Sequence, residues 1–197
     1  MSDVATRRPR KSPDPLEAAV RDLIMALGRA PVGGMAATPE RAAEAWRVFT
    51  RGYEQSAKDV FSEGTFEAEH DGLVLVRGID FFSTCEHHLV PFFGKCHIAY
   101  LPSGRIAGLS KFARLVDVHA RRLQVQERMT HDIADDIQKH LKPRGIAVQL
   151  EARHLCMAMR GVEQKNADVV TTALLGKFRT DAGLAAEFRA MIARRED

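Results

Sequence analysis

The apolar residues of this chain recur at two periods, and the alternation between the periods divides the sequence into helices and strands. Spacings of three and four residues place side chains on one face of a helix. They predict helices at Pro15–Leu27, Thr38 to about Thr50, Leu109–Arg122, Val125–Leu141 and a final segment that carries Leu184, Phe188, Met191 and Ile192. Short apolar runs predict strands at Gly72–Ile79, Lys95–Leu101, a segment from Ile146 that includes His154 and Cys156, and Asp168–Leu175.

The order of these elements predicts an α+β fold. Strand, strand, helix, helix, strand, strand is typical of an antiparallel sheet covered by a helix pair. Four strands leave two open edges, which need a cover or a partner, so we expect the chain to assemble into a larger closed ring of sheet. We divide the chain into a disordered basic tail (1–14), an N-terminal helical region (15–54) and a catalytic domain with a C-terminal helix (70–197).

Composition narrows the functional class. The chain has 197 residues, 45% of them hydrophobic and 28% charged, which is typical of one globular domain with appendages. The net charge is only +3, and without a recognition motif the basic run Arg7–Lys11 predicts a solvated tail, not a nucleic-acid partner. No apolar run is long enough to cross a membrane, and the odd number of cysteines favours a reducing compartment, so we expect a cytoplasmic protein.

Two distant clusters of cysteine and histidine indicate a metal site. Cys85 and His88 are three residues apart, so one helical turn or tight loop brings both side chains to one side of the backbone. His154 and Cys156 are two apart, which places both on one face if their segment is a strand. Two cysteines and one histidine then form a three-ligand set, typical of a catalytic zinc ion with an open fourth position.

The remaining histidines and the third cysteine complete this hypothesis. His87 and His154 would lie beside the metal as proton carriers. The alternatives are a structural zinc with both histidines incidental, or buried cysteines without a metal. Cys96 and His97 are adjacent on a predicted strand and point to opposite faces, so they cannot both bind one ion, and we interpret Cys96 as a buried apolar residue outside the site.

Basic side chains offer contacts for an anionic substrate. Ser110, Lys111 and Arg114 lie at the start of a predicted helix, where exposed N–H groups attract phosphate. Arg160 follows Cys156 by four residues and would share its face of the predicted strand. Taken singly, each basic residue is also typical of a solvated surface.

The pair Gln126-Glu127 begins the next predicted helix. The Glu127 carboxylate has two acceptor oxygens, which could take paired N–H donors from a guanine-type edge that adenine lacks. Capping of the helix is the alternative role for this glutamate.

Four motifs, in this order, resemble GTP cyclohydrolase I: Phe82–Phe92, Gly108–Arg114, Gln124–Thr130 and His154–Gly161. The resemblance extends from roughly Thr38 to Phe188. It implies a tunnelling fold, a toroidal homodecamer with active sites shared between subunits, and conversion of GTP to 7,8-dihydroneopterin triphosphate with release of formate.

The resemblance also implies roles position by position. The residues that match the zinc ligands are Cys85, His88 and Cys156. Those that match the acid/base pair are His87 and His154, and Ser110 is counted with them as catalytic. The residues that match the guanine-recognition pair are Gln126 and Glu127. Those that match ribose and triphosphate contacts are Ser110, Lys111, Arg114 and Arg160, with Arg41 as a triphosphate contact donated by a neighbouring subunit.

Two positions depart from the family pattern. Glu44 stands where many bacterial members carry a basic residue one turn after Arg41, which weakens the expected phosphate clamp between subunits. Ala167 stands where a serine is common in the family, in the stretch after Arg160. We assign no consequence to this difference. A non-catalytic purine- or pterin-binding protein with a structural zinc, and a different hydrolase or pterin synthase on the same fold, are the competing hypotheses.

Overall fold

The computed structural model describes residues 14–193. Residues 1–13 of the predicted tail therefore lie outside the described part of the chain. Asp14 is the N-cap of the first helix, because its side chain accepts a hydrogen bond from the Leu16 N–H at 3.0 Å. The chain forms two compact units, one up to Val48 and one from Phe49 onward.

The helices are α1 (Pro15–Ala26), α2 (Thr38–Thr50), α3 (Ala57–Phe61), α4 (Leu109–Ala120), α5 (Gln126–Leu141), α6 (Leu155–Ala158), α7 (Lys177–Thr180) and α8 (Ala182–Ala193). The strands are β1 (Thr65–Glu67), β2 (Val74–Cys85), β3 (Pro91–Leu101), β4 (Arg105–Ala107), β5 (Leu123–Gln124), β6 (Gly145–His154) and β7 (Val169–Gly176). Within residues 14–193, no helix is long and apolar enough to cross a membrane.

The main sheet has the strand order β5-β2-β3-β6-β7. The neighbours from β2 to β7 are antiparallel, whereas β5 pairs in parallel with the last two residues of β2. Strands β1 and β4 form a separate two-stranded sheet. Because α4 and α5 fall between β3 and β6, the predicted α+β class with its ββααββ order is confirmed.

The two faces of the sheet bury different residues, as the two-residue period of a strand requires. On β3, Cys96 and Ile98 belong to the main core, which also includes apolar side chains of α4 and α5. Ala99 and Leu101, on the opposite face, pack in a smaller core with Phe178 and residues of α8. Cys96 is fully buried, as the sequence predicts.

Strand β2 is longer than predicted. The sequence suggests an end near Ile79, but the strand continues to Cys85. Gly78 has φ +75°, and the register with β3 shifts between Val76 and Ile79. This bulge lets the strand continue past a glycine that resembles a strand terminator in the sequence. The extension places Cys85 at the end of a sheet strand.

Candidate metal centre and active site

A tight turn at residues 85–88, here called the Cys-His turn, joins β2 to β3. The N–H groups of His88 and Leu89 both lie near the Cys85 carbonyl, at 3.3 and 2.8 Å, and the Cys85 N–H donates to Val90 O at 3.0 Å. Leu89 has φ +55°, which lets the chain reverse. The turn brings Cys85 Sγ to 3.7 Å from His88 Nδ1, so the predicted convergence of these two side chains in a tight loop is confirmed.

The segment that carries Cys156 differs from the sequence prediction. Strand β6 ends at His154, and Cys156 lies on the one-turn helix α6. The prediction that His154 and Cys156 share a strand face is therefore wrong. Arg160 lies on no strand either, since it follows α6 in a bend.

The cause of this difference is the length of the neighbouring strands. His154 is paired with Phe92, one residue from the start of β3 at Pro91. On the other side, β7 begins at Val169, opposite Ala152. Beyond His154 the next position of β3 is Pro91, which has no N–H to donate, and the chain closes a local helical turn in which the Met159 N–H donates to Leu155 O at 3.0 Å.

Cys85, His88 and Cys156 form a group that could hold a metal ion. Their ligand atoms all lie within 4.8 Å of one another. Burial raises the pKa of Cys156, and the negative charge of Cys85 raises it further. Two thiolates so close repel each other, and a divalent cation relieves that repulsion. Thiolate and imidazole donors suit zinc, whereas magnesium and calcium prefer oxygen ligands.

His87 lies in the same turn but is exposed, and its Nε2 is 3.9 Å from Glu86 Oε1. The Glu86 carboxylate forms an ion pair with Arg128 of α5, which holds the pKa of Glu86 below its ordinary value. The Glu86 N–H also donates to Gln124 O of β5 at 3.1 Å. These bonds tie the Cys-His turn to the start of α5. These bonds had no signal in the sequence, because they depend on the parallel pairing of β5 with β2.

His154 lies half-buried beside this turn. Its ring is stacked on Phe92 with centroids 4.6 Å apart and planes at 6°. Its Nε2 is 2.7 Å from Gln126 Oε1. Burial lowers the pKa of His154, an effect that the negative charge of Glu127 opposes. The stacking on Phe92 had no signal in the sequence, because it follows from strand register.

Gln126 and Glu127 are adjacent but occupy different environments. Gln126 is 1% exposed, and its amide nitrogen lies 3.2 Å from Leu150 O, 2.9 Å from Val169 O and 3.1 Å from Thr171 Oγ1. Glu127 is exposed at the first turn of α5, close enough for its charge to act on His154. The glutamate is thus accessible to a ligand, whereas the glutamine side chain is enclosed by protein.

The basic group at the start of α4 lies apart from the Cys-His turn of the same chain. Gly108 provides no side-chain cap, and the Lys111 N–H donates to Gly108 O at 2.9 Å, so the N–H groups of Leu109 and Ser110 are the ones a ligand could use. Ser110 and Arg114 are exposed there, with Lys111 partly buried between them. The other end of α4 adjoins β5, which pairs with Cys85. A helix rises 1.5 Å per residue, so Ser110 lies about 15 Å along α4 from that end.

The other two predicted anion contacts are on different elements. Arg160 is exposed after α6, and its positive charge acts on Cys156, where it opposes the larger effects of burial and of Cys85 on the pKa. Arg41 and Glu44 are both exposed on α2, within the first compact unit. Ala167 is exposed in the loop before β7.

Comparison with known proteins identifies the family. The sequence model of GTP cyclohydrolase I matches residues 16–193. The chain is 51% identical to GTP cyclohydrolase 1 of Methylococcus capsulatus over 82% of this chain and 88% of that protein. It is 48% identical to the protein of that name from Deinococcus radiodurans, over 92% of this chain and 84% of the relative. The human protein of the same name is 48% identical over 90% of this chain and 71% of its own length. The chain therefore belongs to the GTP cyclohydrolase I family of enzymes.

Proposed function

We propose that the protein converts GTP and water to 7,8-dihydroneopterin triphosphate and formate, the first step of pterin biosynthesis. The observation that carries this proposal is the convergence of Cys85, His88 and Cys156 within 4.8 Å, with His87 in the same turn and His154 at the end of the adjoining strand. Opening the imidazole ring of a purine needs an activated water molecule and proton donors. The cysteines and His88 could hold a metal ion that activates water, and His87 and His154 could donate protons.

The metal we propose is zinc, held by Cys85, His88 and Cys156. Two cysteines and one histidine leave a fourth position for water, as in catalytic zinc sites. When bound, zinc acts as a Lewis acid and lowers the pKa of water towards neutrality.

The two histidines move protons in this proposal. C8 of a purine is a poor electrophile, and protonation of N7 makes addition of water there easier. In this proposal His87, exposed in the Cys-His turn, gives that proton. His154 assists the second hydrolysis, in which the C8 carbon leaves as formate. The opened ribose then rearranges and closes the pterin ring.

Glu127 is the proposed guanine contact. Its exposed carboxylate at the start of α5 could accept two N–H groups from the guanine edge. A substrate bound in this way would lie next to His154, on whose pKa the Glu127 charge acts. The base would thus be held beside the group that handles its protons.

The triphosphate contacts imply an active site built from more than one chain. We assign ribose and triphosphate binding to Ser110, Lys111, Arg114 and Arg160, with Arg41 donated by a neighbouring subunit. The free N–H groups of α4 and its basic side chains suit an anion. Because Ser110 lies about 15 Å along α4 from the end that adjoins β5, the α4 start of a second chain is the better partner for the Cys-His turn.

The sheet edges support this assembly. Among residues 14–193, β7 pairs with β6 alone, and β2 meets β5 only at Thr84 and Cys85. We propose that these edges pair between subunits, closing the tunnelling fold into a barrel and giving a cytoplasmic homodecamer. Light scattering should give ten times the chain mass of 21.9 kDa, and a monomeric mass at micromolar concentration contradicts the assembly.

Formate release from GTP tests the proposed activity. Purified, zinc-loaded protein should release formate and develop the absorbance of a dihydropterin, with the product identified by chromatography. His87→Ala and His154→Ala should retain GTP binding and lose most of the turnover, with a small residual rate. Metal-loaded wild-type protein that binds GTP without product formation would instead support a non-catalytic binding role.

A further inference from the structure

The orientation of the Gln126 amide follows from its surroundings. Its Nε2 atom lies 3.2 Å from Leu150 O and 2.9 Å from Val169 O, two carbonyl oxygens that can only accept hydrogen bonds. An amide oxygen at that position would face two other oxygens without a proton between them. The NH₂ group must therefore occupy it, and Oε1 faces His154.

The neighbouring hydroxyl groups complete the network. Thr130 Oγ1 donates to the backbone oxygen of Gln126 at 2.7 Å. Since the Thr130 proton is used there, the contact of 2.6 Å between Thr130 Oγ1 and Thr171 Oγ1 must use the proton of Thr171. Thr171 Oγ1 is then a third acceptor for Gln126 Nε2, at 3.1 Å, and shares one of the two amide protons with a backbone carbonyl. Gln126 and Thr130 are each 1% exposed, whereas Thr171 and His154 are partly buried at the two ends of the network.

This network determines which His154 nitrogen carries a proton. Gln126 Oε1 has no hydrogen, and it lies 2.7 Å from His154 Nε2, so Nε2 must be the donor. The lone pair of a neutral His154 is then on Nδ1. The stack on Phe92 fixes the ring plane while the hydrogen bond fixes its rotation.

We propose that Gln126 is a positioning residue, which holds His154 as its Nε2–H tautomer and leaves Nδ1 to exchange protons with the reacting substrate. This inference rests on the proposed function, in which His154 is an acid/base group. It differs from the guanine contact that the family resemblance implies for the Gln126 side chain, because both amide protons are used within the protein and the side chain, 1% exposed, turns Oε1 towards His154. Guanine recognition then belongs to Glu127.

A double-mutant cycle tests the proposal. Gln126→Met keeps the side-chain length and removes the hydrogen bonds. It should lower kcat for formate release by about tenfold or more, with KM for GTP within about twofold of wild type. In a His154→Ala background the same change should lower kcat by less than about twofold, because its effect passes through His154. Glu127→Gln, the matched substitution of the neighbouring residue, should instead raise KM.

Equal losses of kcat from Gln126→Met in both backgrounds overturn the proposal, as does a raised KM with kcat retained. If Gln126→Met does not fold, Gln126→Asn replaces it, because the shorter amide cannot reach the same partners. The same loss of kcat with KM retained is expected. GTP binding to chelator-treated protein is a further readout. Its affinity should be the same for wild type and Gln126→Met, and weaker binding by the variant contradicts the positioning role. A wild-type protein that binds GTP but releases no formate counts against the proposed function alone.

Discussion

Phe92→Leu tests the packing that holds the His154 ring in place. Phe92 is fully buried, and its ring is stacked on His154 with centroids 4.6 Å apart. It also makes an edge contact with Phe81, with centroids 6.0 Å apart and planes at 76°. Leucine removes both aromatic contacts and keeps an apolar side chain at the site.

The size of the effect follows from these two contacts. An aromatic pair contributes about 0.5–1.5 kcal/mol beyond its buried area, so we expect a loss of about 1–3 kcal/mol in the free energy of unfolding. For a chain of this length, each kcal/mol lowers Tm by about 2–4 °C. Because the imidazole loses the surface that fixes its plane, kcat should fall by about tenfold, with KM for GTP little changed.

Phe93→Leu is the matched control. Phe93 is the next residue on β3 and faces the opposite side of the sheet, where it is stacked on Phe82, a side chain that is 56% exposed. Loss of the Phe93 ring should lower the free energy of unfolding by less than about 1 kcal/mol and leave kcat unchanged. Thermal unfolding and formate release are measured on both variants. Wild-type kcat in Phe92→Leu, or an equal loss of kcat in Phe93→Leu, refutes the positioning role of this stack.

Four further substitutions, one of them a control, test three separate parts of the molecule. Cys156→Ser should lose most of the bound zinc by elemental analysis, whereas Cys96→Ala should retain it; equal retention would exclude Cys156 as a ligand. Arg128→Ala frees the Cys-His turn from α5 and should lower both kcat and bound zinc, and an unchanged kcat would show that the ion pair is dispensable. Burial lowers the pKa of His119 in spite of the hydrogen bond to Asp136 at 2.8 Å. The unfolded chain then binds more protons than the folded protein below about pH 6.5, so Tm should fall as the pH is lowered through that range. His119→Gln should flatten this dependence of Tm on pH. An unchanged slope would contradict the assignment of the dependence to His119.

Local sequence signals predicted the elements that depend on neighbouring residues along the chain. The apolar repeat, with Gly28 after it, placed the first helix, and the Thr38-Pro39 start placed the second, each within a residue or two of the observed bounds. The three-residue spacing of Cys85 and His88 was sufficient because a tight turn is itself a local structure.

Features that depend on strand partners were not predictable in the same way. The segment through Cys156 has strand composition, yet it becomes helical where β3 and β7 no longer flank it. The stack of Phe92 on His154 depends on register between distant strands. The family resemblance implied one shared role for Gln126 and Glu127, and the packing of α5 against the sheet separates them, since Gln126 is buried.

Metal content and formate release, measured on one preparation, decide whether the protein is a zinc-dependent GTP cyclohydrolase. We expect about one zinc per chain and release of formate from GTP. Chelation should abolish turnover, and added zinc should restore it. Metal-loaded protein that leaves GTP unchanged would contradict the proposed activity, and metal-free protein with full turnover would contradict the role of zinc.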